Sequence, residues 1–171
     1  MKRKSFDRIV TAVGFGLAVF LVIAAGLLNW GAGFASDAVS SQLKAQEITI
    51  PAVTGNPDES ADVTAFFKEN GDKVLSDAKQ AQMYADHYLG FHLSKMPTYA
   101  AASAASRAAN GALATNPSDP ALKAEAAAKL SMVDTVFKGT VLRGTLLTAY
   151  AFGTLGSIAG ISALVSLAGA A

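Results

Sequence analysis

Two stretches of 28 residues without a charged side chain, residues 9–36 and 144–171, constrain this chain more than any other feature. A membrane-spanning helix needs about 20 predominantly apolar residues, so either stretch is long enough to cross a bilayer. They lie towards opposite ends of a 171-residue chain and raise its mean hydropathy to +0.34. The expected fold is an all-α membrane protein. Residues 9–34 and 144–171 are its transmembrane helices, residues 1–8 a basic cytoplasmic segment, and residues 35–143 a helical domain on the far side.

Charge sets the expected orientation. Residues 1–8 net +3 through Lys2, Arg3, Lys4 and Arg8 against Asp7, whereas residues 31–140 hold nine Lys/Arg and twelve Asp/Glu. Basic residues beside a first span favour the cytoplasm, which puts both termini there and residues 35–143 outside. Lys138 and Arg143 then lie outside, against the bias, but long connecting segments cross largely regardless of charge. Lys4, Arg8, Trp30 and Arg143 are the expected interface anchors. The first apolar core, at roughly 20 residues, exceeds the roughly 7–15 of a secretory signal peptide, so a retained anchor is expected.

Both spans carry small residues at helical spacing. Gly156 and Gly160 form a small-xxx-small pair with Gly153 nearby, and Ala12 with Gly16 and Gly14 with Ala18 repeat the pattern in the first span. Such faces let helices approach closely in lipid. The expected packing residues are Gly14, Ala18, Gly153, Gly156 and Gly160. Neither span holds Asp, Glu, Lys, Arg or His, so neither offers a proton relay or a charged ion path.

Between the spans the pattern is helical with one exception. The first helix is expected to run on through residues 36–47. Alternation at Ile48-Thr49-Ile50 before Pro51 predicts a short extended piece. Residues 54–59 form a loop, and Ser60 caps a short helix carrying Val63, Phe66 and Phe67 that closes at Asn70-Gly71. A helix is expected over 72–95, with Leu75, Ala78, Ala85, Leu89 and Leu93 on one stripe and Gly90 as its soft point. Residues 98–114 hold nine alanines in seventeen positions, which favours helix by propensity. After the break at 116–120, with Ser118 or Asp119 as cap, one helix is expected from Ala121 into the second span. Unbroken, it would measure roughly 75 Å.

The sequence offers little for catalysis. It has no cysteine, which excludes disulfides and thiolate chemistry. His87 and His92 are five apart, about 140° around a helix, whereas a metal pair on one face needs a spacing of about four. Asp58 and Glu59 read as solvated loop carboxylates. No phosphate-binding glycine loop or nucleophile elbow occurs, and a net charge of +1 leaves no footprint for nucleic acid. Phe66, Phe67, Tyr84, Tyr88, Phe91 and Tyr99 are expected to form a small core. The alternative is that Phe66, Phe67, Tyr84, Tyr88 and Phe91 line an apolar site for lipid, quinone or peptide.

The motifs Lys-Ser-Phe-x-Arg-Ile-Val at 4–10, Asn-Trp-Gly at 29–31 and the run Phe-Lys-Gly-Thr-Val-Leu-Arg-Gly-Thr-Leu-Leu-Thr-Ala-Tyr-Ala-Phe-Gly-Thr-Leu-Gly at 137–156 resemble a family of small actinobacterial two-span membrane proteins. The likeness covers both ends and little of the alanine-rich middle. It implies two spans and supplies no catalytic residue. Some members carry an aromatic ring-opening dioxygenase label, for which two misplaced histidines offer no iron site.

The expected function is therefore non-enzymatic, without cofactor or metal. The chain acts as an accessory subunit or homo-oligomeric scaffold in the plasma membrane, packing against itself or a larger membrane complex. The alternative is an extracytoplasmic lipid, quinone or peptide binding module.

Overall fold

A computed structural model describes residues 3–171 and is 82% helical, with no strand among the described residues. The elements are α1 (Arg3–Ala45), α2 (Ala61–Asn70), α3 (Ala78–Met83), a π-helical turn (Tyr84–Leu89), α4 (Gly90–Ser94), α5 (Tyr99–Thr115) and α6 (Pro120–Ala170). Helices α1 and α6 hold 43 and 51 residues, and both are long and apolar enough to span a membrane. At 1.5 Å per residue they measure about 65 and about 76 Å.

The chain forms two compact units. The first comprises Met1–Glu47, Ser76–Ala78 and Ala149–Ala171. Among its less exposed α1 positions, Ala18, Leu21, Ala25, Leu28, Ala32, Ala35 and Val39 alternate by three and four residues. On α6 the matching positions are Ala149, Gly153, Gly156, Gly160 and Ala163. This seven-residue periodicity is the signature of a left-handed helix pair. The pair is antiparallel: a Cβ at Gly156 would lie 2.8 Å from Ala35 Cβ, one at Gly160 3.6 Å from Ala32 Cβ, and one at Gly169 3.4 Å from Leu21 Cδ1. Close approach is why glycine stands at 156, since even a methyl group would press on Ala35 and on the Ala32 carbonyl.

The second unit comprises Ile48–Leu75 and Lys79–Thr148. Glu47, at φ 51°, ends the chain's run out of α1. Residues 48–50 and 72–75 then pair as two short extended segments: Ile50 N donates to Lys73 O, Asp72 N to Ile50 O and Leu75 N to Ile48 O, each at 2.9 Å. Ile50, Phe67 and Leu75 are wholly buried and form the centre of this unit. Gly71 closes the approach beneath α2, because a Cβ there would sit 3.0 Å from Ala52 Cα.

The expected helix over 72–95 is corrected at its start. Leu75 belongs to the paired extended segment, and helix begins only at Ala78. An apolar residue facing a core gives the same sequence signal in either conformation, and the backbone partner at Ile48 decides. Ser60 caps as expected, Asp119 rather than Ser118 caps α6, and Thr98 is a further cap beyond those expected. Ser60 Oγ accepts from Val63 N, Thr98 Oγ1 from Ala101 N, and Asp119 Oδ1 from Ala121 N and Leu122 N. Helix α5 returns along α6, with Tyr99 and Phe137 rings 6.0 Å apart, and buries Ala102, Ser106 and Ala109.

Candidate functional site

The most chemically distinctive part of the second unit is the π-helical turn Tyr84–Leu89, continuous with α3 and α4. Such wide turns recur at functional positions because they displace side chains and carbonyls from regular register. Here Ala85 O accepts from Gly90 N–H and also from Arg143 Nε, the latter at 3.0 Å. Arg143 Nη2 donates to Asp86 Oδ1 at 2.9 Å. A Cβ at Gly90 would lie 3.4 Å from Ala85 O and 3.7 Å from Arg143 Nε, so glycine keeps this path open. Arg143 thus reaches back to the π turn.

On the same turn, His87 Nδ1 lies 2.9 Å from Glu59 Oε2. The Glu59 side chain is only 11% exposed, and its Oε1 accepts from Asn56 Nδ2 at 2.9 Å. Glu59 is therefore a paired, largely buried carboxylate, which corrects its reading as a solvated loop residue. His92 points elsewhere: its Nδ1 is 2.8 Å from Tyr88 O, and its ring lies 3.5 Å from the Cβ position of Gly55, a residue in the left-handed region at φ 82°. The two histidines have separate partners. Among the described residues no three His, Asp or Glu side chains gather as metal ligands.

The five aromatics proposed to line an apolar site are divided. Phe67 is a wholly buried core residue with Phe66 edge-on at 5.7 Å. Tyr84, Tyr88 and His92 form a ladder with ring centroids 4.9 and 4.4 Å apart, and Phe91 meets His92 edge-on at 5.5 Å. Tyr84 is buried, and burial together with the neighbouring Tyr88 phenol raises its pKa above the usual 10.0. Lys95 Nζ sits 5.0 Å above the Phe91 ring. A small recess of about 220 Å³ touches Phe67, among residues of the 52–57 loop.

A larger groove of about 510 Å³ lies between α4 and α6, lined by Gly90, Leu93, Ser94, Thr140, Arg143, Gly144 and Leu147. Leu93 seats on Gly139, where a Cβ would come within 2.8 Å of Leu93 Cδ2. The two lining glycines and Arg143 make the groove part polar backbone, part cation and part apolar wall.

The packing residues also fall into two groups. Gly156 and Gly160 face α1 of the same chain, and Gly153 faces Ala78, where a methyl group would clash. Gly14 continues the stripe four residues before Ala18 but has nothing within 4 Å of its Cβ position, and the same is true of the space at Gly16, Gly26, Gly31 and Gly33. Ala18 is half-buried at the seam's edge, and the close contacts of α1 come from Ala32 and Ala35. Lys4 and Arg8 are exposed, and Trp30, 70% exposed, stacks on Phe34 at 5.9 Å.

Comparison with known protein families, with curated proteins and with solved structures finds no match for this chain. Function has to be argued from the two units themselves.

Proposed function

We propose that this chain is an integral membrane accessory subunit, non-enzymatic, with two spans closed into an antiparallel hairpin and a helical domain outside the membrane. One observation carries the reading. The closest contacts of the seam between α1 and α6 are between alanine and glycine, Ala35 with Gly156 and Ala32 with Gly160, while many bulky residues point outwards: Phe15, Phe20, Leu27, Phe152, Ile158 and Leu164 are all exposed. A core helix of a water-soluble protein would show the reverse, and only 6% and 11% of the most apolar windows of α1 and α6 are buried. Hydroxyls in the second stretch agree. Thr145, Thr148, Thr154, Ser157 and Ser166 each donate to the carbonyl four residues back, so none demands water.

On this reading the N-terminal cations hold both termini in the cytoplasm of a plasma membrane, and the second unit is extracytoplasmic. Gly156 and Gly160 act within the chain rather than between copies. The surface left for a partner helix is the face of α1 away from α6, where Gly16, Gly26 and Gly33 have open Cβ positions. The partner is a further membrane helix, from a second copy or a larger complex. Two spans are also what the terminal motifs' resemblance implies.

The test is alkaline carbonate extraction followed by in-membrane crosslinking of the native chain. Retention in the membrane with a reproducible crosslinked partner is the expected result. Release into the supernatant would refute the membrane role.

A further inference from the structure

The π turn Tyr84–Leu89 stands between two stretches that other elements hold in place. Met83, Leu89 and Gly90 all keep right-handed helical backbone angles, so α3, the turn and α4 form one rod with no cap between them. Upstream, Ala81 and Ala85 are wholly buried and Met83 nearly so, and Gln80 Nε2 donates to Asn70 Oδ1 at 3.3 Å. Downstream, Leu93 seats on Gly139 and the His92 ring lies against Gly55. In a regular α-helix Leu93 would stand about 80° round from Ala85. A π turn absorbs about one residue and swings Leu93 back towards that face. The extra residue lets both ends sit at once.

A π turn is rare because its hydrogen bonding is poorer than that of an α-helix, so something must hold it. Here one side chain does. Arg143 Nε donates to Ala85 O, the carbonyl that also accepts from Gly90 N–H, and Nη2 donates to Asp86 Oδ1. Arg143 and Gly139 lie one turn apart on α6, so a single helix supplies both the pin and the seat. Room for a second arrangement exists beside them. The groove of about 510 Å³ leaves α4 uncovered along Gly90, Leu93 and Ser94, and nothing lies within 4 Å of the Gly144 Cβ position. Residues 95–98, between α4 and α5, can take up the rise of one residue, about 1.5 Å.

We infer that the π turn is a one-residue register switch with Arg143 as its pin. When Arg143 withdraws, the turn relaxes into α-helix, and α4 rotates by about 100° and advances by about 1.5 Å. Leu93 then leaves Gly139, and His92 leaves Gly55. The switch links α6 to the 54–59 loop, because His87 and His92 meet that loop at Glu59 and Gly55. A shift of α6 along its axis by about 1.5 Å is enough to break the 3.0 Å bond from Arg143 to Ala85 O. A partner that moves α6 therefore resets the loop. The switch stands whether or not α1 and α6 cross a bilayer.

The test traps α4 on its seat, using the full chain in detergent. Leu93 Cγ lies 3.6 Å from the Gly139 Cβ position, close enough for a sulfur in its place to form a disulfide. The chain has no other cysteine, so a Leu93→Cys, Gly139→Cys protein should crosslink on mild oxidation and hold its fragments together after cleavage in the 116–120 loop. Adding Arg143→Gln should slow the crosslink at least about tenfold. Deleting Asp86 from that Arg143→Gln protein removes the extra residue, and the crosslink rate should return to that of the starting protein. In the cysteine-free chain, Arg143→Gln should speed hydrogen exchange over residues 54–59 and 90–94 and leave residues 61–83 unchanged.

A crosslink undiminished by Arg143→Gln would overturn the pin. A crosslink lost in Arg143→Gln and not restored by the deletion would overturn the register change and leave Arg143 as a structural tie. Exchange that rises equally over residues 61–83 would mean that the unit unfolds instead of switching, and would overturn the inference as well.

Discussion

Arg143 and Asp86, 57 residues apart in sequence, meet at 2.9 Å between Nη2 and Oδ1, and the same guanidinium holds the carbonyl of Ala85. One side chain on α6 therefore fixes a π-helical turn whose widened register α3 and α4 do not share. The pair is partly open to water, with side-chain exposures of 41% and 35%, so its electrostatic contribution is screened. In a double-mutant cycle with Arg143→Gln and Asp86→Asn, thermal unfolding in detergent should give a coupling of about 0.5–1 kcal/mol, smaller at high salt. Arg143→Gln alone should cost more than Asp86→Asn, because it also strips a donor from Ala85 O.

The antiparallel seam can be trapped covalently. A Cβ at position 160 would lie 3.6 Å from Ala32 Cβ, inside the roughly 3.5–4.5 Å separation of disulfide-bonded cysteines. The chain has no cysteine of its own, so an Ala32→Cys, Gly160→Cys protein has only one possible internal pairing. After mild oxidation and cleavage in the 116–120 loop, the two fragments should stay joined on a non-reducing gel. A control pairing Gly14→Cys with Gly160→Cys should not link within a chain, because Gly160 faces Ala32 and Gly14 lies roughly 27 Å further along α1. Fragments that separate in the first variant would refute the register.

The buried phenol of Tyr84 predicts an alkaline limit. Burial and the adjacent Tyr88 raise its pKa, so the folded chain holds the proton at pH values where the unfolded chain releases it. Below pH of about 10 both states are protonated and the contribution is fully present. As pH rises towards and through the raised folded value, stability is lost. The unfolding midpoint in detergent should therefore fall as pH rises above about 10, and Tyr84→Phe should flatten that fall. An identical slope in wild type and variant would assign the alkaline loss to other groups.

Local signals in the sequence reached the helices and most of their ends. Asp119 before Pro120 predicts the start of α6, nine alanines predict α5, and alternation at Ile48–Ile50 predicts the one extended piece. Leu75 misleads because its apolar spacing suits a helix, and only the extended segment paired with it at Ile48 shows otherwise. The π turn has no spacing signature, since it depends on Arg143 arriving from another helix. Glu59 is hidden for the same reason: nothing near it in sequence announces His87. In α1 the glycines draw attention, yet Ala32 and Ala35 make the close contacts, because alanine opposite glycine already allows two backbones to approach.

Orientation is the prediction with the widest consequence, because the accessory role assigns the second unit to the outer side. Absence of native cysteine again makes the measurement direct. Ser118→Cys lies in the exposed break between α5 and α6, and Ser5→Cys in the exposed start of α1 beside Lys4. With a membrane-impermeant maleimide on intact cells, Ser118→Cys should label and Ser5→Cys should not. Permeabilisation should bring Ser5→Cys to full labelling without changing Ser118→Cys. The reverse pattern would put the helical unit in the cytoplasm and overturn the charge argument, since Lys4 and Arg8 would then have crossed while the acidic middle stayed behind. Labelling at both sites in intact cells would mean that the two positions share one side of the membrane. An even number of crossings with Ser118 between them forbids that, and it would leave α1 and α6 as apolar helices lying on the outer surface.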